Sequence, residues 1–86
     1  MSRYVAVRPG ETLKFAFDWD DWLPAGDGIT SRQWAITPTG PTLAGDTTAE
    51  CSVSGVALGA VHCLTETVTT NFGEVGSRGI TLRGAQ

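Results

Sequence analysis

Apolar and polar residues alternate along much of this chain. Over residues 12–19, Leu13, Phe15, Phe17 and Trp19 fall on one side, and Lys14, Ala16 and Asp18 on the other. A period of two marks a half-buried β-strand. The same period returns over residues 31–37, with Trp34 and Ile36 in phase. Over 49–54 it sets Ala49, Cys51 and Val53 against Glu50, Ser52 and Ser54. Residues 61–71 form the longest such run. Val61 and Cys63 compete there with His62, Leu64 and Val68 for the inner face, and the second set continues further. Ile80 and Leu82 point inward from a last strand over 78–83. Residues 3–7 make a short strand or arm before Pro9-Gly10, and Thr42-Leu43 a stub.

Turn residues punctuate these runs every eight to twelve positions, the spacing of a sandwich or barrel. Pro24, Gly26 and Gly28 lie in an irregular connection over 20–30. Pro38, Gly40 and Pro41 end one strand, and Asn71-Phe72-Gly73 makes a turn. No segment carries a helical period. The prediction is an all-β fold: a small β-sandwich of six or seven short antiparallel strands. Residues 1–11 form an N-terminal arm or edge strand, and residues 12–86 a single domain.

Composition narrows the classes. The 86 residues are 41% hydrophobic and 17% charged, with 11 glycines. A chain of this size buries only about 60–65% of its surface, in one thin core. No run approaches the roughly 18–20 apolar residues of a membrane span, and the first residues lack the apolar stretch of a secretory signal. Six basic and nine acidic residues give a net charge of −3. Arg3, Arg8, Lys14, Arg32, Arg78 and Arg83 are scattered. Nucleic acid and membrane surfaces, which call for a concentrated basic footprint, are therefore not expected partners.

Candidate chemistry is sparse. The acids Asp18, Asp20, Asp21 and Asp27 suggest a cation site, but a calcium loop counted from Asp18 would need a glycine where Leu23 stands and a glutamate where Ile29 stands. Turn bonding and solvation account for these acids instead. Asp20 and Asp21, adjacent on the chain, do not make a glycosidase pair. His62 and Cys63 face opposite sides of a strand, so the imidazole does not activate the thiol. The glycines at 26–28 and 55–59 have neither a Walker lysine nor a following helix. No enzyme, cofactor or metal is expected.

If residues 55–60 close a hairpin, Cys51 falls opposite Leu64 and Cys63 opposite Ser52. The two thiols then face opposite sides, which reads as two free thiols, with a strained disulfide as the alternative. Trp19 and Trp34 read as core. Trp22 either caps the core or, with Leu23, stands on the surface as a protein-binding anchor.

The order of these features resembles a family of small tailed-phage virion proteins with an immunoglobulin-like fold, described as fiber–tail adaptor or head-associated proteins. The resemblance runs through Phe17-Asp18-Trp19, Trp22-Leu23, Gly26-Asp27, Ile29 and Trp34. It continues through Val53-Ser54-Gly55, Gly59, Val68-Thr69-Thr70, Gly73 and Ile80-Thr81-Leu82, and so covers residues 12–83. Val56 stands where the family has glycine, Ser52 where it has an aromatic, and His62 where it has tyrosine. The family's charged segment before the last strand is here Val75-Gly76-Ser77-Arg78.

The resemblance implies an immunoglobulin-like β-sandwich in a phage particle. The first expectation is a capsid decoration, or cement, protein that binds across major capsid protein subunits on the outer surface of the head or neck. It would be homo-oligomeric in the particle and assembled in the host cytoplasm. The alternative is a fiber–tail or neck adaptor that binds other virion proteins. A carbohydrate-binding module is a remote third. Tyr4 and Val5 on the arm, and Trp22 and Leu23 in the 20–30 connection, are the expected partner-binding residues.

Overall fold

In the computed structural model, which describes residues 4–85, the alternating segments become seven strands and no helix forms among those residues. They are β1 (Tyr4–Val7), β2 (Thr12–Phe15), β3 (Ile29–Thr37), β4 (Thr42–Ala44), β5 (Cys51–Ser54), β6 (Val61–Thr70) and β7 (Val75–Gly84). Two sheets face each other, one ordered β1-β7-β6-β3 and the other β2-β5-β4. This is an immunoglobulin-like sandwich.

The inner phase of β6 follows the longer of its two competing sets. His62, Leu64, Glu66, Val68 and Thr70 are buried, while Val61 and Cys63 are exposed. Leu64 sits between Ile36 and Ile80, and His62 beside Leu82. Val7, Trp34, Ile36, Cys51, Val53, Val56, Leu64 and Leu82 make the core, with Leu13, Phe15, Phe17 and Ile80 packed on it. Fully burying one such side chain stabilises by about 1.5–3 kcal/mol, and a chain this short has few to bury.

Four expectations change. The pairing of β1 with β7 is parallel, because the chain enters the sheet at the edge, beside its own C-terminal strand. The 12–19 strand loses its ladder after Phe15, since β5 ends opposite it at Cys51. The alternation outlives the ladder: Phe17 stacks on Trp34, ring centroids 5.5 Å apart, and Trp19 is buried.

Residues 55–60 do not close a hairpin. They carry the chain from the small sheet to the large one, so Cys51 and Cys63 belong to different sheets. Val56 drops into the core on the way, and Gly84 lets the crossover lie against β7, because a Cβ there would strike the Ala57 carbonyl. The thiols are nonetheless free, Cys51 buried and Cys63 exposed.

The last strand starts at Val75 rather than 78 and pairs with β6 from Thr69↔Val75 to Val61↔Arg83. Gly76 and Gly79 conceal its first half from a propensity reading.

Trp34 ties the two sheets. Its indole Nε1 donates to the Thr48 carbonyl at 2.8 Å and its backbone N–H to the Asp46 carbonyl at 2.8 Å. The 45–50 loop is thereby clipped to the free edge of β3. Trp34→Ala removes a core ring, its stack on Phe17 and this clip. A loss of about 3–5 kcal/mol in urea unfolding is expected.

Candidate functional site

The 16–28 segment is the largest stretch outside the sheets, and a buried carboxylate organises it. Glu66, on the inner face of β6, has no solvent exposure. It accepts the Trp19 indole N–H at 2.7 Å on Oε1 and the Arg32 guanidinium at 3.1 Å on Oε2. A buried charge is tolerated only when paired and hydrogen-bonded, and both oxygens are engaged. Trp19 is thereby fixed above the sheet.

On Trp19 the rest of the loop assembles. Trp22 meets it edge-on, centroids 5.2 Å apart, and the Arg78 guanidinium lies 4.5 Å from its ring centroid. Arg78 also donates to the Asp18 carbonyl and pairs with Asp21 at 3.1 Å. The backbone turns here, the N–H groups of Trp22 and Leu23 both donating to the Trp19 carbonyl. Trp22 rests on β7 at Gly76, where a Cβ would stand 2.7 Å from its Cζ2. The glycine is what lets the indole lie flat on the strand.

The four acids take separate positions. Asp18 Oδ1 accepts the Asp20 N–H, and Asp21 pairs with Arg78. Asp27 Oδ1 accepts the N–H groups of Gly28 and Phe72, stitching this segment to the β6–β7 turn. Among the described residues no group of His, Cys, Asp and Glu side chains has the geometry to hold a metal ion. His62 is buried, its Nδ1–H donating to the Pro38 carbonyl at 2.7 Å, and its neighbour Cys63 faces away from it.

The expected partner residues fall at two separate places. Tyr4 is exposed on β1, with the Arg83 guanidinium 5.7 Å from its ring centroid, while Val5 is half-buried against the core. Trp22 and Leu23 are both half-buried. Tyr4 pairs with Thr81 on β7 and Trp22 lies over Gly76, a separation of roughly 17 Å at the rise of a strand. The remaining two of the expected arm's first residues, and its Arg3, lie in residues 1–3, outside those described. Trp19 and Trp34 are buried and the Trp19–Trp22 planes cross at 67°. The three tryptophans therefore do not form the coplanar exposed pair that a sugar platform would need.

Sequence reasoning missed Glu66. Its signal was present, a carboxylate in phase with Leu64 and Val68 on the inward side of a strand. The same reasoning set Val61 outward and Phe72 in a turn, and gave no role to these two or to the exposed Leu58 and Val75.

The model of the podophage GP4 fiber-tail adaptor protein gp77 family matches residues 8–83. The chain belongs to that family. This is the phage virion kinship that the ordered motifs of residues 12–83 implied. Of the two roles implied with it, the match favours the adaptor over capsid decoration. A search of curated proteins finds no match. Among solved structures, the chain is similar to the solution structure of the PKD domain from KIAA 1837 protein. The TM-score is 0.73 at 15% identity, over 96% of this chain and 82% of that one. That likeness concerns the fold. Adaptor family and immunoglobulin-like fold together point to a structural rather than a catalytic protein.

Two measurements check the geometry. Glu66→Ala leaves Arg32 and the Trp19 N–H without their partner and should cost about 3–5 kcal/mol in urea unfolding. Glu66→Gln, which keeps an acceptor for Trp19, should cost less. Burial first, and the Asp46 carboxylate second, push the Cys51 thiol up from its ordinary value. Folded protein treated with iodoacetamide at about pH 8 should label at Cys63 and not at Cys51, with Cys51 reacting once urea unfolds the chain. The sign also fixes a pH effect: the contribution of Cys51 is complete below about pH 8.5, the pKa of a free thiol, and is lost as the pH rises through the folded-state value.

Proposed function

We propose that this protein is a fiber–tail adaptor, a small rigid piece that joins a fiber component to the tail of a phage particle. The family match over residues 8–83 carries the reading. An adaptor needs two unlike surfaces, and the fold offers them. One is the half-buried Trp22–Leu23 turn, which rests on β7 at Gly76. The other is the free edge of β1 with Tyr4 beside it. β1 is paired on one side only, so its open edge accepts a strand from a partner. Residues 4–7 are already part of their own sheet, and in this reading they receive a strand rather than being donated to a neighbour.

Each surface is small, so single contacts are weak and repetition in the particle supplies the strength. Capsid decoration would use the same surfaces in many more copies, against major capsid protein. Position and stoichiometry separate the two roles. Quantitative mass spectrometry of purified virions should give a dozen copies or fewer per particle, scaling with the tail proteins, and antibody labelling should mark the tail–fiber junction. Hundreds of copies spread over the head would overturn the adaptor reading and restore decoration.

A further inference from the structure

The exposed large apolar residues lie at the two ends of the four-stranded sheet. At one end Leu58 and Val61 are 57% and 52% exposed. Val61 faces Arg83 across the ladder, Arg83 lies over Tyr4, and Leu58 sits in the crossover packed at Gly84. At the other end Phe72 and Val75 are 62% and 64% exposed, in and beside the β6–β7 turn. The ten residues of β6 hold the two ends about 30 Å apart.

The ends differ in charge. Around Phe72 and Val75, Arg78 pairs with Asp21 and Arg32 with Glu66. Asp27, whose Oδ1 accepts the Phe72 N–H, and Glu74, between Phe72 and Val75 in the chain, have no ion-pair partner among the described residues, so this end is acidic. At the Leu58–Val61 end stand Arg8 and Arg83, neither in an ion pair among the described residues, and one carboxylate, Glu11, which accepts the Arg8 backbone N–H at 3.1 Å; two arginines against one glutamate leave this end net positive.

We propose that copies of this chain associate head to tail, the Leu58–Val61–Arg83 end of one against the Phe72–Glu74–Val75 end of the next. Two acidic ends repel, which disfavours a two-fold pair through the Phe72–Val75 end. An acidic end against a basic one is attractive and joins an apolar pair to an apolar pair. Such a contact is heterologous: each copy keeps one end unused and the assembly grows into a ring or a file. The molecule measures 43 × 28 × 18 Å, so an end offers on the order of 400–500 Å², less than the roughly 800 Å² per partner of a standard interface. The association is therefore weak, salt-sensitive and favoured by the crowding of copies in a particle. It does not rest on the adaptor reading, and the purified chain alone tests it.

Sedimentation velocity across about 10 μM to 1 mM, the range of weak contacts, should show an average mass rising above the 9.0 kDa of one chain. About 0.5 M NaCl, with its short screening length, should reverse the rise. Phe72→Lys blocks the acidic end and Val61→Lys the basic end. Near-UV circular dichroism checks that both fold, and each alone should stay monomeric. Mixed, they retain one competent end each and should form a 1:1 dimer that grows no further. A wild-type chain that stays monomeric throughout overturns the proposal. So does a single variant that still dimerises, which would mean two-fold pairing through its intact end, or a mixture that remains monomeric.

Discussion

Glu66 places a carboxylate where water does not reach, on the inner face of the central strand β6. Leaving such a charge unpaired costs several kcal/mol, so its two oxygens dictate what must come to them. Arg32 arrives from the neighbouring strand, two residues before Trp34 on β3. Trp19 arrives from 47 residues away in sequence, and it brings the 16–28 segment with it. Once Trp19 is held, Trp22 packs on its edge and Arg78 on its face, and Asp18 and Asp21 close on Arg78. The upper part of the sandwich is thus built on a polar pairing, where the lower part is built on Leu64, Leu82, Val53 and Val56.

This division suits the size of the chain. Three β-strands in the small sheet, of four, four and three residues, do not cover the ten-residue strands β6 and β7. The uncovered length of the large sheet has to be sealed by something other than a strand. Aromatic side chains on an irregular segment do it: each of these rings buries far more area than an aliphatic residue. Gly76 is the matching concession on the sheet side. A larger residue there would lift Trp22 off β7 and open the seal that Trp19 anchors.

What could be read from the sequence follows from which contacts are local in period. Leu13, Phe15 and Phe17 announce their face by alternation alone, and so do Trp34, Ile36, Leu64 and Val68. The sandwich class follows from them. The misread places are those where a distant partner overrides the local signal. Gly55 and Gly59 punctuate like a hairpin, yet Val56 between them belongs to the core and Gly84 on β7 receives the loop. Gly76 and Gly79 argue against a strand by propensity, while β6 imposes one by pairing. Glu66 looks like a surface residue by type and an inner one by position, and only Trp19 and Arg32 reconcile the two. Trp22 and Leu23 were visible as a conspicuous pair, but the seat of Trp22 depends on Gly76, fifty-odd residues further on.

The same separation bears on function. Residues that hold the fold are engaged on all sides: Trp34 by Phe17 and the 45–50 loop, Glu66 by Trp19 and Arg32, Leu64 by Ile36 and Ile80. Leu58, Val61, Phe72 and Val75 make no comparable demand on it, and their apolar surface is open to water. In so small a domain, selection for folding alone would favour spending apolar side chains on the core. Apolar residues kept at exposed ends are more economically explained by contacts outside the chain. A scaffold whose interior is settled by a few long-range pairings does not need its ends for folding, and their apolar side chains are left available for contacts with another surface.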